Sequence, residues 1–573
     1  MANNGGPLAR GSADVIAQAL AWAEEDPDDR TRAELLDTIS AARAHDPAAE
    51  AELADAFGSR LEFGTAGLRG RLGPGPNRMN RVVVTQAAAG LAEYLRERGG
   101  GAVAIGFDAR HNSDVFARDS AMVFAGAGLT PLLLPRPLPT PVLAYAVRHL
   151  GCAAGVMVTA SHNPPQDNGY KVYLGEGSQI VPPADAEISA LIASVAGRPL
   201  ASIPLGDDWT TLADDVLDDY VAQVATLVGR HSPRQARVVY TPLHGVGGET
   251  FERVLDRAGF PVAIRVDAQF EPDPDFPTVA FPNPEEPGAI DLAIAEAKRV
   301  SADLVIANDP DADRCAVAVP EPLKSDPSGS PESPGATAVW RMLTGDEVGS
   351  LLGWWMIERG TTSGVFARSL VSSSMLDALA AAHGLASTQT LTGFKWIARV
   401  PGLEYGYEEA LGYCVDPLHV RDKDGISAAL LVIEMASALK ADGRSLTDVL
   451  DDLDREHGIH ATSQVSVRVS DLGRIAGIMR RLRASPPQSI AGIDVLGMDD
   501  LERPADGLPP TDGLRFSLAG GARIIVRPSG TEPKIKCYLE VIEYPNGTGL
   551  ATARASAARR MEALRDAVAP WLE

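Results

Sequence analysis

The chain has 573 residues, of which 45% are apolar and 22% are charged, and its formal net charge is −24. This length predicts several folded domains, and the acidic surface argues against nucleic acid as a partner, because it repels phosphate backbones. Four widely spaced cysteines, an N-terminus without an apolar leader pattern and the lack of any run of about 18 apolar residues predict a cytoplasmic protein without a disulfide framework, zinc site or membrane span.

Strand and helix patterns alternate along most of the chain. After an amphipathic helix over 13–26, strand patterns over 102–108, 130–135 and 153–161 alternate with helix patterns over 84–99, 113–128 and 139–151. The alternation recurs from residue 236 and again from residue 345. Such alternation is typical of sheets whose parallel strands are joined by crossover helices.

The C-terminal part has a different pattern. Strand patterns over 463–470, 514–530 and 534–542 precede a long helix pattern over 551–573. We therefore predict three consecutive α/β domains with mixed sheets and a C-terminal α+β domain, arranged around a central cleft. The predicted domains are residues 1–208, 209–343, 344–462 and 463–573. Residues 320–338, rich in Pro, Ser and Gly, are predicted to be a flexible insertion at a hairpin tip.

The stretch GVMVTASHNPPQDNGYK runs from an apolar strand pattern into Ser161 and His162 and ends at Lys171. Ligands of open parallel sheets bind beyond the carboxyl ends of the strands, where Ser161 is predicted to lie. A nucleophilic hydroxyl is one interpretation, and a turn or cap serine is the alternative. For His162, orienting its neighbours and direct proton transfer are equally compatible with the sequence.

The sharpest chemical pattern is NDPDADR, in which Asp309, Asp311 and Asp313 follow the apolar run ADLVIA. Three neighbouring carboxylates repel one another, and a hard cation offsets that repulsion. An EF-hand loop is excluded, because its required glycine and glutamate positions hold Arg314 and Pro320. The alternative is an Asp-rich turn held by side-chain to backbone hydrogen bonds. We predict a metal site.

The stretch RPSGTEPK has the composition of a phosphate cradle. Ser529, Gly530 and Thr531 offer hydroxyl and backbone N–H groups, and Arg527 and Lys534 add positive charge. A tight turn between two strands is the alternative interpretation.

Three further stretches carry weaker patterns. FGTAGLRG is a glycine-rich loop that carries Arg69 just before its last residue and lacks both the P-loop and the dinucleotide spacing. GYEEALGY offers Glu408 and Glu409 as acceptors for sugar hydroxyls, with a solvated helix start as the alternative. TGFKW places Lys395 among aromatic residues, either as a phosphate contact or as a surface lysine.

Together these motifs resemble the phosphohexomutase family of phosphoglucomutases and phosphomannomutases. TASHNP is similar to its phosphoserine loop, DPDADR to its magnesium loop, GYEEALGY to its sugar loop and RPSGTEP to its phosphate loop. GTAGLRG and DKDGISAALLVIEMA resemble the branch that includes the phosphoglucomutase-2-like enzymes. The resemblance covers residues 45–545, but Ala410 stands where many relatives carry a serine, which removes one possible sugar contact.

The resemblance implies an intramolecular phosphotransferase that interconverts hexose 1-phosphate and hexose 6-phosphate. Ser161 is expected to carry a phosphoryl group and pass it to the free hydroxyl of the substrate. The product of that transfer is a hexose 1,6-bisphosphate intermediate, whose other phosphate returns to the serine, and glucose 1,6-bisphosphate is the expected activator. Glucose is the expected preferred sugar, with mannose also used.

The resemblance also implies residue roles. Mg²⁺ is expected between the phosphoserine oxygen of Ser161 and the three aspartates of NDPDADR. Lys171 is the candidate for proton transfer, His162 assists it, and Arg69 and Arg314 help to hold the phosphoserine. Lys395, Glu408 and Glu409, with the RPSGTEPK residues Arg527, Ser529, Gly530, Thr531 and Lys534, are the expected substrate contacts.

Other functions remain open on the sequence. The main activity could instead be that of a phosphomannomutase or a phosphopentomutase. A metal-dependent sugar phosphatase could use the same serine and metal, but the separate phosphate loop at Arg527 argues against it. A non-catalytic sugar-phosphate sensor would not need Ser161 and all three aspartates. We expect a sugar phosphate as the partner, with no nucleic acid or membrane, and a monomer or weak dimer.

Overall fold

The computed structural model describes residues 12–321, 339–469, 472–529, 534–547 and 549–572. These residues form four structural units, each with its own sheet, and we number the units one to four along the chain. In the described ranges, no helix combines the length and the apolar character that crossing a bilayer requires.

The first unit contains a mixed sheet and seven helices. Its strands are β1 (Leu68–Arg71), β2 (Ala102–Phe107), β3 (Thr130–Leu133), β4 (Ala154–Val158), β5 (Asp167–Leu174) and β6 (Thr210–Thr211). Its helices are α1 (Ser12–Glu25), α2 (Asp29–Arg43), α3 (Pro47–Gly58), α4 (Arg81–Arg96), α5 (Ser113–Gly126), α6 (Thr140–His149) and α7 (Ala184–Ala196). The strand order is β1-β5-β4-β2-β3-β6, and β5 is antiparallel to both of its neighbours.

The second unit has a five-stranded mixed sheet in the order β11-β10-β9-β7-β8. Its elements are α8 (Asp215–Ala225), β7 (Val238–Thr241), α9 (Gly247–Ala258), β8 (Ile264–Arg265), α10 (Asp267–Phe270), α11 (Asp291–Val300), β9 (Leu304–Ala307), β10 (Ala316–Glu321) and β11 (Val339–Met342). Strands β10 and β11 are antiparallel neighbours, as expected for strands that flank a hairpin tip. Of the predicted insertion, Pro320 and Glu321 belong to β10, and residues 322–338 lie outside the described residues.

The third unit has a four-stranded mixed sheet in the order β13-β12-β14-β15. Its elements are α12 (Gly345–Glu358), β12 (Val365–Ser369), α13 (Met375–Ala382), β13 (Ala386–Thr390), α14 (Phe394–Ile397), β14 (Leu403–Glu408), β15 (Gly412–Cys414), α15 (Gly425–Ala441) and α16 (Leu446–His457). Helix α12 begins with a capping box, in which Thr344 and Glu347 satisfy each other's backbone N–H groups.

The fourth unit has a six-stranded antiparallel sheet in the order β16-β21-β20-β19-β18-β17. Its elements are β16 (Ile459–Arg468), α17 (Leu472–Ala484), β17 (Ser489–Ile490), β18 (Ile493–Asp500), β19 (Leu514–Leu518), β20 (Arg523–Pro528), β21 (Lys534–Glu543) and α18 (Leu550–Val568). The predicted three α/β domains and C-terminal α+β domain are confirmed.

The strands extend past two predicted domain borders. Strand β6 pairs with β3 of the first sheet, although residue 208 was the predicted end of that domain. Strand β16 starts at Ile459, before the predicted border at 463, and pairs with β21. We therefore propose the same four domains with these two borders moved to include the paired strands.

Each unit contains one of the chain's four cysteines: Cys152, Cys315, Cys414 and Cys537. All four are buried as free thiols. Burial raises the pKa of Cys152 to about 11 and also raises the pKa values of the other three thiols. Their predicted absence from any disulfide is consistent with this placement.

Candidate active site

Loops from all four units face one another across the molecule. Ser161 follows β4, Asp309 follows β9, Glu408 ends β14 and Arg527 lies near the end of β20. Direct side-chain contacts join the first three units, and hydrogen bonds such as that of Ser373 with Glu540 join the third unit to the fourth. The predicted convergence of loops at the strand ends is therefore present.

Ser161 is held in an unusual backbone conformation. Its φ is 52°, in the left-handed region that non-glycine residues seldom adopt. Its N–H donates to Thr159 Oγ1 at 2.8 Å, and the Thr159 hydroxyl donates to Asp108 Oδ2 at 2.6 Å. Such a conformation persists only where the surrounding structure fixes it, and Ser161 is only 2% exposed.

Arg110 holds the backbone of the serine loop in place through hydrogen bonds. Its guanidinium lies 3.3 Å from Asp108 Oδ2 and is buried with it. It donates to four carbonyl oxygens of the loop: those of Ser161, Asn163, Pro164 and Asp167. These contacts fix the direction in which the serine hydroxyl leaves the loop.

Asp309, Asp311 and Asp313 form one buried cluster. A carboxylate oxygen from each lies within 4.8 Å of the others. The turn between them is tight, since Ala312 has a φ of 54°. Asp309 Oδ2 accepts a hydrogen bond from Ser161 Oγ at 2.8 Å, which brings the predicted nucleophile onto the predicted metal loop.

The cluster fits a hard divalent cation. Asp311 Oδ1 and Asp313 Oδ1 are buried, and neither has a hydrogen-bond partner among the described residues. Buried carboxylate oxygens without partners are costly unless a cation or a donor meets them. A donor set made only of oxygen suits Mg²⁺ or Mn²⁺ better than zinc.

Two ammonium groups border the cluster. Lys171 Nζ lies 2.7 Å from Asp311 Oδ2 and 2.9 Å from Asp313 Oδ2. Lys423 Nζ, from the third unit, lies 3.2 Å from Asp313 Oδ2. Burial disfavours the Lys171 ammonium, but the two carboxylates outweigh it and raise its pKa. For Asp309 it is the neutral form that is favoured, because burial and then the charges of Asp311 and Asp313 raise its pKa well above the usual range.

His162 contacts the serine directly. Its Nδ1 lies 3.1 Å from Ser161 Oγ. Burial, followed by the charges of Arg314 and Arg69, lowers the pKa of His162 well below its ordinary value. The imidazole is therefore neutral at pH 7, which suits an orienting or hydrogen-bonding role for the ring.

Arg69 and Arg314 place positive charge beside the serine loop. Arg69, in β1, donates to Asn163 Oδ1 at 3.1 Å. Arg314 Nε lies 3.9 Å from both Asp309 Oδ2 and Asp313 Oδ1 and has no hydrogen-bond partner among the described residues. Burial lowers the pKa of Arg69, and the charge of Arg314 lowers it further. Two neighbouring guanidinium groups suit an anionic group between them.

The stretch FGTAGLRG is more ordered than the predicted loop. Residues Leu68–Arg71 form β1 and pair with β5, next to Lys171. Gly67 has a φ of 74°, and a Cβ there would lie 1.9 Å from the Tyr170 carbonyl oxygen. The close approach of β1 to β5 therefore requires this glycine.

GYEEALGY is a β-hairpin turn between β14 and β15, so the alternative of a solvated helix start is wrong. Glu409 Oε2 accepts hydrogen bonds from the Ser369 and Ser372 hydroxyls at 3.0 and 2.9 Å. Burial raises the pKa values of both Glu408 and Glu409. For Glu408, the ammonium of Lys423 partly offsets the effect of burial on the pKa.

Lys395 bridges the third and first units. It lies in α14, and its ammonium donates to the Thr65 hydroxyl of FGTAGLRG. Burial, reinforced by Arg527 and Arg399 and opposed by Asp185 and Glu408, lowers the pKa of Lys395 to about 8. The influence of Arg527 shows that two cations from different units share this part of the cleft.

The predicted phosphate loop is described only at its ends. Arg527 and Ser529 are half-buried, and the Ser529 N–H donates to the Lys534 carbonyl oxygen at 2.8 Å. The predicted contacts Gly530 and Thr531 lie outside the described residues. The strand-to-strand geometry of β20 and β21 is confirmed, and the phosphate role stays a prediction.

Sequence reasoning missed several residues around the site. The sequence gives no sign of the role of Arg110, because its contacts with the serine loop are made to backbone carbonyl groups. Lys423 lies in the motif DKDG, which was noted without a role for the lysine. Ser372 lies in the run SSSM, and nothing in that run indicates a contact with Glu409. No local pattern in the sequence identifies these contacts, because they depend on how the units pack against one another.

Models of a known family match all four units. Those for the α/β/α domains I, II and III of phosphoglucomutase/phosphomannomutase match residues 60–198, 218–322 and 344–456. The model for the C-terminal domain of the same family matches residues 415–556.

Similar proteins carry three different names. A probable phosphomannomutase of Haemophilus influenzae is 49% identical over 81% of this chain and 93% of its own length. A mouse phosphopentomutase is 35% identical over 87% of this chain and 86% of its own. A Staphylococcus haemolyticus phosphoglucomutase is 35% identical over 85% of this chain and 91% of its own.

Solved structures share the fold. A phosphoglucomutase/phosphomannomutase family protein from Burkholderia thailandensis superposes with a TM-score of 0.67 at 18% identity, covering 89% of this chain and 97% of that one. Parafusin, a phosphoglucomutase from Paramecium, in its open form, gives a TM-score of 0.65 at 18% identity, covering 90% and 96%.

Proposed function

Because the chain belongs to the α-D-phosphohexomutase family and is thus an intramolecular phosphotransferase acting on a sugar phosphate, we propose that it interconverts hexose 1-phosphate and hexose 6-phosphate through a phosphoserine at Ser161. The observation that carries the proposal is the 2.8 Å contact between Ser161 Oγ and Asp309 Oδ2 inside the buried aspartate cluster. A serine beside three carboxylates suits phosphoryl transfer, in which positioning and charge neutralisation dominate.

The proposed reaction has two transfers. In the first, the bond between phosphorus and Ser161 Oγ breaks and a bond to the free sugar hydroxyl forms, giving a hexose 1,6-bisphosphate. In the second, the other phosphate of the bisphosphate is transferred to Ser161 Oγ, which regenerates the phosphoserine and releases the isomeric monophosphate. The proton lost by the sugar hydroxyl in the first transfer is replaced on the opposite sugar oxygen in the second.

Asp309, Asp311, Asp313 and a phosphoserine oxygen are the proposed ligands of Mg²⁺. A bound Mg²⁺ supplies positive charge that offsets the charge on the phosphoryl oxygens. Arg69 and Arg314 are proposed to hold the phosphoserine, since their guanidinium groups border the serine loop.

Lys171 is the proposed proton-transfer group. Its Nζ lies within 2.9 Å of two carboxylates of the cluster, whose charge raises its pKa. Offsetting that carboxylate charge would bring the pKa of Lys171 back toward its ordinary range and ease release of the proton. His162, neutral and 3.1 Å from Ser161 Oγ, is proposed to orient the serine.

The sugar is proposed to be bound by Glu409, with Glu408 as its partner, and the non-reacting phosphate by Arg527, Ser529 and Lys395. The bisphosphate must bind in two orientations, so one loop can read only hydroxyls that occupy similar places in both. The 3- and 4-hydroxyls meet this condition best, and the 2-hydroxyl, which distinguishes glucose from mannose, is read poorly. Ala410 offers no hydroxyl to sharpen the choice.

We therefore propose glucose 1-phosphate as the preferred substrate, with mannose 1-phosphate used within about a hundredfold, because one missed charged hydrogen bond costs about 1.5–3 kcal/mol. Galactose 1-phosphate, whose 4-hydroxyl is inverted, is expected to be much poorer. The name of the mouse relative supports a second candidate, a phosphopentomutase. Comparing kcat/KM for glucose, mannose, galactose and ribose 1-phosphates decides among them, and a larger value for ribose would favour the pentose activity.

The phosphoserine is tested by intact-mass measurement. Treatment with glucose 1,6-bisphosphate should add one phosphoryl group to the protein, and glucose 6-phosphate should then remove it as the bisphosphate. Release of inorganic phosphate alone would favour a sugar phosphatase. A protein that carries no phosphoryl group either as isolated or after this treatment would contradict the proposed mechanism.

A further inference from the structure

Arg523 of the fourth unit reaches into the third unit. It lies in β20, four residues before Arg527, and its side chain is 15% exposed. Its Nη1 and Nη2 atoms donate to the carbonyl oxygens of Leu370 and Ser372. Its Nε donates to Glu540 Oε2, so a single guanidinium joins β20, β21 and a turn of the third unit.

The turn of residues 369–372 holds Glu409, the carboxylate proposed to bind the sugar. The Ser372 hydroxyl lies 2.9 Å from Glu409 Oε2 and also accepts the Glu409 backbone N–H at 3.0 Å. The Ser369 hydroxyl donates to the same carboxylate oxygen at 3.0 Å. The position of Glu409 therefore depends on where the 369–372 turn lies.

Glu540 holds the other end of the turn. Its Oε1 accepts hydrogen bonds from the Ser373 hydroxyl at 3.0 Å and from the Ser374 N–H at 2.7 Å. The Glu540 side chain is 2% exposed, so its charge needs the Arg523 guanidinium beside it. The Arg523–Glu540 pair thus brackets residues 370–374 from the fourth unit.

We propose that Arg523 is a positioning residue for sugar recognition, which aims the Glu409 carboxylate by fixing the backbone of Ser372. The proposal rests on the proposed function of Glu409 as the acceptor of sugar hydroxyls. Arg523 then gives the fourth unit a second role in the site, besides its predicted phosphate contact: the unit also sets the geometry with which the third unit reads the sugar.

This positioning role requires the planar guanidinium group, whose several N–H donors can bond three acceptors at once. A lysine at position 523 keeps a positive charge for Glu540 but supplies a point charge that cannot bond two carbonyls and a carboxylate in one plane. We expect Arg523→Lys to lower the kcat/KM ratio of glucose to galactose 1-phosphate about tenfold, because a displaced carboxylate no longer discriminates at the 4-hydroxyl. A purely structural role would lower both values equally and leave their ratio unchanged, and that result would overturn the proposal.

Arg483→Lys is the matched control. Arg483 is also a guanidinium fork with 21% side-chain exposure, but its partners Asp500 and Asp512 both lie in the fourth unit. We expect this variant to keep the sugar ratio. Should Arg523→Lys fail to fold, as judged by its thermal transition, Glu540→Gln tests the same bracket and should lower the ratio in the same direction.

A double-variant cycle tests the path through Ser372. Ser372→Ala removes the hydroxyl that contacts Glu409 while leaving the backbone carbonyl that Arg523 binds. If Arg523 acts through Ser372, combining the two changes should reduce the ratio no further than the stronger single change. Additive losses would contradict this path.

Glu409→Gln separates the two proposals. If this variant leaves the sugar ratio unchanged, the proposed function of Glu409 is wrong. If it lowers the ratio while Arg523→Lys does not, the function of Glu409 stands and the positioning role of Arg523 is wrong.

Discussion

The two halves of the candidate site differ in how they are built. The serine–aspartate region, which comprises Ser161, Lys171, Asp309, Asp311 and Asp313, is buried and joined directly across units, at 2.8 Å between Ser161 and Asp309. The sugar–phosphate region comprises Lys395, Glu408, Glu409, Arg527 and Ser529, all partly exposed. Its carboxylate Glu409 is held by serines of its own unit, and its cations Lys395 and Arg527 lie close enough to repel.

This difference shows in which region protein contacts fix the positions of the functional groups. The serine–aspartate region is arranged by protein contacts, apart from two carboxylate oxygens that have no hydrogen-bond partner in the described part of the chain. In the sugar–phosphate region, the like charges of Lys395 and Arg527 repel each other, and an anionic ligand would stabilise them. We therefore expect changes in the first region to lower kcat and changes in the second to raise KM.

The largest expected effect is that of Ser161→Ala. Removing the acceptor of the phosphoryl group should lower kcat at least about 10⁴-fold, because an alanine side chain has no oxygen that could carry that group. Binding of glucose 1-phosphate, measured by calorimetry, should stay within a few-fold of wild type. Wild-type turnover without a phosphoenzyme would contradict the proposed role of Ser161 as the carrier of the phosphoryl group.

Metal removal should have the next largest effect. Chelation by EDTA should lower kcat about a thousandfold and added Mg²⁺ should restore it, because several kcal/mol of charge stabilisation are lost. Asp311→Asn should weaken Mg²⁺ binding measured by calorimetry. Asp119→Asn is the control, since Asp119 is also buried but pairs with Arg81 away from the cluster. Undiminished activity in chelator would remove the aspartates from the proposed role.

The third-largest effect is expected for Arg527→Ala, which tests the sugar–phosphate region. The loss of a charge-assisted contact to the non-reacting phosphate should raise KM about tenfold or more while kcat changes less. Phosphorylation of Ser161 by glucose 1,6-bisphosphate should persist in part, as intact mass can show. An unchanged KM would return this stretch to the alternative of a simple turn.

The smallest expected effect is a pH dependence. The pKa of Lys395 is about 8, so its ammonium is lost as the pH rises through that value. If the ammonium contacts the phosphate, kcat/KM should fall about eightfold between pH 7.5 and pH 9. Lys395→Arg should keep its charge and flatten this fall, whereas Lys440→Arg, at an exposed pair with Asp303, should not. A fall that persists in Lys395→Arg would exclude this lysine as its cause.

The sequence predicted contiguous motifs better than contacts between distant residues. The aspartate cluster could be predicted because its three carboxylates follow one strand at a spacing of two, so a short stretch contains the whole pattern. Ser161 could be placed because a strand end precedes it. The contact of Arg110 with the serine loop could not be predicted, because it is made to carbonyl groups, which every residue has.

Packing between units also lay beyond the sequence. The contact of Lys423 with Asp313 joins residues 110 positions apart, and nothing in DKDG marks the direction of the lysine. The first unit's helices α2 and α3 were not predicted, since charged residues interrupt their apolar positions; α2 buries only Thr31, Leu35, Ile39 and Ala42. Only the lysine contact depends on distant parts of the chain, because the buried residues of α2 and α3 pack against each other and against the neighbouring α1.

The four buried cysteines provide an internal record of local opening. Each thiol lies in a different unit and reacts with an alkylating reagent only when its surroundings open, because the reactive thiolate is both hidden and disfavoured by burial. Labelling rates at Cys152, Cys315, Cys414 and Cys537, read by peptide mass spectrometry, would therefore rank the opening free energies of the four units. The natural sequence thus allows the cooperativity of a four-unit enzyme to be mapped without introducing a probe.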